Sequence, residues 1–150
     1  MRHFPQYRAC KGWNSQVVFI GIRRAFRVRG RNKVFLTCIE ESVAHGIQRA
    51  LAIEKHEIEY RPCNAPVDDF LDADIVFAGG DGKQYLALLR GIRQAKPALP
   101  FVVVTRLPET SDWLDALEAG ATDYCSAPLE LRQISWLMET VFHQLRRTTA

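Results

Sequence analysis

The first 33 residues contain no aspartate or glutamate, and the whole chain of 150 residues has no C-x-x-C pair, no internal repeat and no low-complexity segment. No apolar run is long enough to span a bilayer; residues 16–22 come nearest and fall far short. That run also lies too late for a secretory signal, and arginines follow it rather than a small-residue cleavage site. A cytoplasmic protein with no membrane span is the expectation. The four cysteines, Cys10, Cys38, Cys63 and Cys125, show neither metal-site nor disulfide-framework spacing and do not cluster with the histidines. They are expected to be reduced and mostly structural, with Cys38 read as a small buried hydrophobe rather than a reactive thiol. G-x-G-x-x-G is absent after every predicted strand. The run Gly79-Gly-Asp-Gly-Lys83 misses the phosphate-loop spacing, with Phe77 at the first glycine position and Gln84 at the hydroxyl position.

What is present is unevenly charged. Nine basic residues precede residue 34, leaving eleven basic against seventeen acidic residues in the remainder. The chain therefore reads as a basic extension, residues 1–32, joined to an acidic domain over residues 33–147. For the extension two readings stand: a loose solvated terminus, or a short strand or hairpin built on residues 16–22 and 25–29. A basic alternating segment could also lie along nucleic acid, the one route by which a nucleic-acid partner is expected.

Residues 101–128 organise the domain. Phe101-Val-Val-Val-Thr105 is apolar at successive positions, as a strand buried on both faces is. Trp113, Leu114 and Leu117 then form the predicted apolar stripe of a helix ended by Gly120 at C′. A short strand at residues 121–125 follows and stops before Pro128. The stretch Ala116-Leu-Glu-Ala-Gly-Ala-Thr-Asp-Tyr124, with Pro128 after it and Thr105 closing the preceding strand, resembles the fourth and fifth strands of the response-regulator receiver (CheY-like) family. The resemblance extends over roughly residues 33–147.

From Lys33 the sequence reads as five βα units. Strands are predicted at 34–38, 57–60, 74–78, 101–105 and 121–125. The helices carry apolar stripes at Val43, Ile47, Ala50 and Leu51; at Tyr85, Leu88, Leu89 and Ile92; at 113–117; and at Leu131, Ile134, Leu137, Met138, Val141 and Leu145. Only a brief helical turn is expected around 67–71. Strands alternating with helices call for a doubly wound parallel α/β sheet covered on both faces. The resemblance adds the flavodoxin-like order 2-1-3-4-5, with a crevice at the C-terminal strand ends. Residues 38–41, 78–82, 105–106 and 126–127 should surround it.

In the receiver family that crevice holds an acidic pair binding Mg²⁺, a phospho-accepting aspartate, a Thr or Ser and a lysine before a proline. A carboxylate attacking a phosphoryl group needs both cations to offset the charge on the transferring oxygens. Set on that pattern, Cys38 and Ile39 stand at the acidic pair, Gly79 at the phosphoacceptor and Ala127 at the lysine. Thr105 and Pro128 remain. The implied protein is a degenerate receiver, or pseudo-receiver: a non-enzymatic, phosphorylation-independent interaction module of a two-component phosphorelay, without metal or other cofactor.

Two alternatives are kept. Asp81 could be a displaced acceptor, sharing a makeshift Mg²⁺ site with Glu40, since Mg²⁺ needs only one or two carboxylates plus water; against it, Asp81-Gly82 is ordinary turn chemistry. A small flavin- or nucleotide-binding enzyme on the same fold is the second. Trp136, two residues beyond Ile134 and about 200° around the last helix at roughly 100° per residue, is the interface candidate, with packing beneath the basic extension as its rival. By resemblance, partners would be a sensor kinase or output protein, and a homodimer would use the fourth helix, fifth strand and fifth helix. No DNA-binding or enzymatic output segment is read after the last helix.

Overall fold

The computed structural model describes residues 31–149, with side chains through Arg147; the readings of the basic extension and of Cys10 fall outside these residues. The described chain runs β1 (Lys33–Thr37), α1 (Glu41–Ile53), β2 (Glu57–Arg61), a 3₁₀ turn (Val67–Phe70), β3 (Ile75–Ala78), α2 (Gly82–Ala95), β4 (Phe101–Thr105), α3 (Thr110–Glu118), β5 (Asp123–Ser126) and α4 (Leu131–Thr149). The five strands form one sheet in the order β2-β1-β3-β4-β5, with every pairing parallel. The fold expected from the alternating strand and helix periods is the fold observed.

The continuous apolar runs are explained by the pleat. Successive side chains of a strand point to opposite faces, and here both faces are covered. Val34, Leu36, Ile75, Phe77, Val102 and Val104 pack with α1 and α4, including Ile47, Leu51, Ile134 and Met138. Their neighbours Phe35, Val76, Ala78, Phe101, Val103 and Tyr124 point the other way, onto Phe70, Tyr85, Leu89, Ile92 and Ala116. Only edge strand β2 alternates and stays partly exposed, as its Glu-Ile-Glu-Tyr sequence requires.

Helix ends are fixed by local chemistry. At the end of α3, Gly120 has φ +101°; its N–H donates to the Leu117 carbonyl at 3.0 Å, and the Ala121 N–H donates to that of Ala116 at 2.9 Å. This is a Schellman closure, which needs a left-handed residue and so favours glycine. Arg93 secures the turn, its Nε donating to the Gly120 carbonyl at 2.8 Å and its Nη1 to that of Leu99 at 2.6 Å.

Two helical stripes differ from expectation. On α3 the fully buried residue is Ala116 with Trp113 half-buried, while Leu114 and Leu117 are 45% and 38% exposed. The short helix presents only one turn to the sheet, and the small residue sits where the backbone comes closest. On α4 Leu131 is exposed, whereas residues 136–139 are all buried. Four consecutive positions sweep most of a helix circumference, so α4 is not a simple two-faced surface helix. Trp136, placed on the solvent side by the wheel, is 9% exposed and belongs to the core group of Leu137 and Met138. It is therefore not an exposed aromatic available for docking.

Candidate functional site

The sheet reverses its winding between β1 and β3, and over the C-terminal strand ends there lies a crevice of about 480 Å³. Cys38, Ile39 and Glu40 line it from the β1–α1 turn, Gly80 from the turn after β3, and Thr105 and Arg106 from the end of β4. Ala127 closes the far side; its N–H donates to the Thr105 carbonyl at 2.7 Å, and the Ala127–Pro128 peptide bond is cis. These positions were read from the sequence. Val43, Val104 and Cys63 also line the crevice and were not.

The one cationic side chain among the lining residues, Arg106, is held by acidic and hydroxyl groups. Its Nη2 lies 3.0 Å from Glu40 Oε1 and donates to Ser42 Oγ at 2.8 Å, while the Ser42 hydroxyl donates to the same Glu40 oxygen at 3.4 Å. The Arg106 and Glu40 side chains are each more than half exposed, so this link ties β4 to the start of α1 with at most about 1 kcal/mol. Glu40 is thus engaged with Arg106 rather than with Asp81. Among the described residues no group of three or more His, Cys, Asp or Glu side chains converges as a metal site would.

Asp81 is not among the lining residues. It is the N-cap of α2: its Oδ1 accepts from the Gln84 backbone N–H at 3.0 Å, and Gln84 Oε1 accepts from the Asp81 N–H at 3.4 Å. This reciprocal capping box satisfies two N–H groups that the helix cannot pair internally. We expect Asp81→Ala to lose about 1 kcal/mol in urea unfolding, and Asp81→Asn, which still caps, to lose only a few tenths.

Gly79 is enclosed by backbone. Its N–H donates to the Thr37 carbonyl at 3.0 Å. A Cβ added there would lie 2.8 Å from the Cys38 carbonyl oxygen, 3.0 Å from that of Val104 and 3.3 Å from Ile39 Cα. These are main-chain atoms, of the turn after β1 and of β4, and cannot swing aside as a flexible side chain would. The position leaves room for glycine alone.

The cysteine expectation is corrected at two positions. Cys38 and Cys63 form a disulfide across 25 residues, with Cα atoms 5.0 Å apart, inside the range that a disulfide bridges. Spacing along the chain carried no hint because the pairing is made by the sheet. Parallel neighbours β1 and β2 end together, Thr37 opposite Arg61, so the residues just beyond each strand meet above the sheet. Cys38 is accordingly not a buried hydrophobe. Cys125 is a buried thiol outside the disulfide, as expected.

No protein-family model matches the chain. Among curated proteins it is 27% identical over 131 residues to the transcriptional regulatory protein ZraR of Salmonella typhimurium, covering 80% of this chain and 29% of that protein. It is 32% identical over 82 residues to the KDP operon transcriptional regulatory protein KdpE of Escherichia coli, covering 55% of this chain and 35% of that protein. The crystal structure of a two-component response regulator from Clostridium difficile superposes with a TM-score of 0.66 at 22% identity, covering 80% of this chain and all of that one. By sequence the chain is similar to response regulators, and it has the fold of their receiver domains. It spans only about a third of the length of the curated relatives it matches.

Of the residues that the resemblance set at the family's acidic pair and lysine, Cys38, Ile39 and Ala127 all line the crevice, whereas Gly79, set at its acceptor position, is walled in by backbone. Thr105, at the switch position, lies half-buried at the crevice rim. Tyr124 points into the opposite layer, where burial first and the Tyr85 phenol second push its hydroxyl well above the ordinary tyrosine range. Beside it Asp123 is 9% exposed and accepts from the Tyr124 N–H at 2.8 Å. Burial pushes its carboxyl up to about 6 from 3.8, against the lowering effect of the Tyr124 N–H and Cys125.

The folded domain thus keeps the Asp123 proton where the unfolded chain has lost it. Stability should fall as pH rises from about 4 to about 6 and then stay level, with a drop on the order of 2–3 kcal/mol. Asp123→Asn should remove that slope in urea titrations run between these pH values.

Proposed function

We propose that this receiver domain is a phosphorylation-independent protein-interaction module of a two-component system, working in the cytoplasm. The observation that carries the proposal is the enclosure of Gly79. The position at which the family places its acceptor carboxylate has backbone oxygens 2.8 and 3.0 Å from any Cβ, so no side chain can present a nucleophile from it. Cys38, Ile39 and Ala127 supply neither the Mg²⁺-binding carboxylates nor the cation that phosphoryl transfer requires. Asp81, the displaced acceptor that the sequence allowed, is engaged as a helix cap. The module has no catalytic residue and needs no cofactor.

Its partners on this reading are a sensor kinase or an output protein, and no described helix is long and apolar enough to cross a membrane. The contact face is the one made by α3, β5 and α4, the family's fourth helix, fifth strand and fifth helix, which also offers a route to a homodimer. With Trp136 buried, the exposed large apolar side chains on these elements are Leu114 and Leu117 of α3 and Leu131 of α4, which are 45%, 38% and 47% exposed. Nucleic acid enters only through the basic extension.

Adding Mg²⁺ and beryllofluoride, a phosphoryl mimic, to isotope-labelled protein tests the proposal. Amide resonances around the crevice should stay in place. Saturable shifts at Gly80, Thr105 and Ala127 would show a working phosphoryl site and end the proposal.

A further inference from the structure

We propose that Cys38–Cys63 is a thiol–disulfide exchange site whose redox state sets the shape of the crevice. Both ends of the bond line the crevice, Cys38 from the turn after β1 and Cys63 from the loop that leaves the edge strand β2. Cys63 is exposed, together with its neighbours Pro62, Asn64 and Pro66, while Cys38 is half-buried. A thiolate from solvent therefore reaches the Cys63 sulfur first and expels Cys38 into the crevice. Apart from the disulfide, the loop is anchored by the Thr37 hydroxyl, which donates to the Pro62 carbonyl at 3.2 Å, and by its own turn from the Ala65 N–H to Pro62 at 3.0 Å. Ala65 also packs against the core, so reduction would release the clasp at the exposed residues 62–64.

The backbone at Cys38 agrees with a held position. Its φ of +56° is in the left-handed region, which is uncommon for a residue other than Gly, Asn or Asp and persists where surrounding structure maintains it. The neighbouring Ile39 and Glu40 begin the turn that leads to the Arg106 link, so the state of Cys38 bears directly on the crevice rim. Disulfides in a reducing compartment are usually transient or sensing, which fits the cytoplasmic setting proposed above.

The exchange balances with a dithiol as reductant. Its thiolate attacks the Cys63 sulfur, the Cys38–Cys63 bond breaks, and Cys38 leaves as a thiolate that takes up a proton. The second thiol of the reductant then attacks the mixed disulfide, releasing Cys63 and forming the reductant's own disulfide. Two electrons and two protons pass from the dithiol to the cysteine pair.

The test uses the full chain carrying Cys10→Ser, purified without reductant. Native N-ethylmaleimide labelling with peptide mapping should mark neither Cys38 nor Cys63 before treatment with dithiothreitol, and both after it, with Cys125 unmarked throughout. Amide hydrogen exchange over residues 39–43 and 62–66 should quicken about tenfold or more on reduction, the expected sign of lost local restraint. Cys63→Ser should show the fast pattern in either buffer, and the reduced parent protein gives the same readout without a substitution. Labelling of Cys38 and Cys63 before reduction, resistance of the pair to dithiothreitol in the folded protein, or equal exchange in the two states would each overturn the proposal. Phosphate incorporation measured on the same samples bears on the interaction-module reading alone, so the two can fail separately.

Discussion

Gly79→Asp, the change that places the family's acceptor residue at its own position, is expected to unfold or severely weaken the domain rather than to create a phosphoacceptor. The new Cβ would fall 2.8 Å from the Cys38 carbonyl oxygen and 3.0 Å from that of Val104, inside the contact distance of any carbon and oxygen. Both oxygens are main chain, Cys38 in the turn just after β1 and Val104 in β4, so relief requires the backbone to shift. Overpacking of this kind costs about 1–3 kcal/mol for a methyl group alone. An aspartate adds an ionised carboxylate beside these carbonyl oxygens, which costs several kcal/mol more if it stays unpaired. We expect a loss above about 4 kcal/mol in urea unfolding, or a Tm lower by roughly 10–20 °C for a domain of this size. Gly79→Ala should fall between the two, at about 1–3 kcal/mol. A Gly79→Asp protein as stable as its parent would mean that the turn after β3 opens freely, and the structural basis of the proposed function would be lost.

The layers of the fold were legible because each strand carries its own evidence. Phe101 to Thr105 is apolar at consecutive positions, and only burial on both faces accounts for that; the structure places Val102 and Val104 on one layer and Phe101 and Val103 on the other. Glu57 to Tyr60 alternates, and β2 is the edge strand. Gly120 ended a helix in the sequence and ends α3 in the structure through its positive φ. In each case the signal is local, so a single stretch of chain suffices to read it.

Where the reading failed, the deciding contact was distant in sequence. Trp136 was read as an exposed contact or as packed beneath the basic extension; α4 is buried around most of its middle turn, which removes the first reading, and the second lies outside the described residues. The stripe on α3 was drawn through the larger residues, whereas close approach to the sheet selects the small Ala116 and turns Leu114 and Leu117 outward. Cys63 has no neighbour in sequence to suggest a partner for Cys38; the parallel pairing of β1 with β2 supplies it. In the crevice itself, the residue types at Cys38, Ile39, Gly79 and Ala127 were readable, and the walls around Gly79 were not, since they come from two segments distant in sequence, Cys38–Ile39 and Val104.

The second large expected effect, on the proposed reading, is the absence of phosphoryl transfer. Phosphorylation from a small donor requires a carboxylate in line with the phosphorus, a divalent cation on the oxygens and a second positive group opposite. Gly79 offers no side chain, Cys38 and Ile39 offer no carboxylate, and Ala127 offers no charge; Arg106 faces Glu40 and Ser42. Removing one preorganised stabiliser of transition-state charge typically costs about 10²–10³ in rate. Losing both cations as well as the nucleophile should leave nothing measurable. The direct measurement is the intact mass of the full chain after incubation with acetyl phosphate and Mg²⁺, followed by hydroxylamine treatment to detect an acyl phosphate. The predicted result is an unchanged mass. A stoichiometric gain of one phosphoryl group, sensitive to hydroxylamine and abolished by Asp81→Asn, would contradict the account and make Asp81 the acceptor.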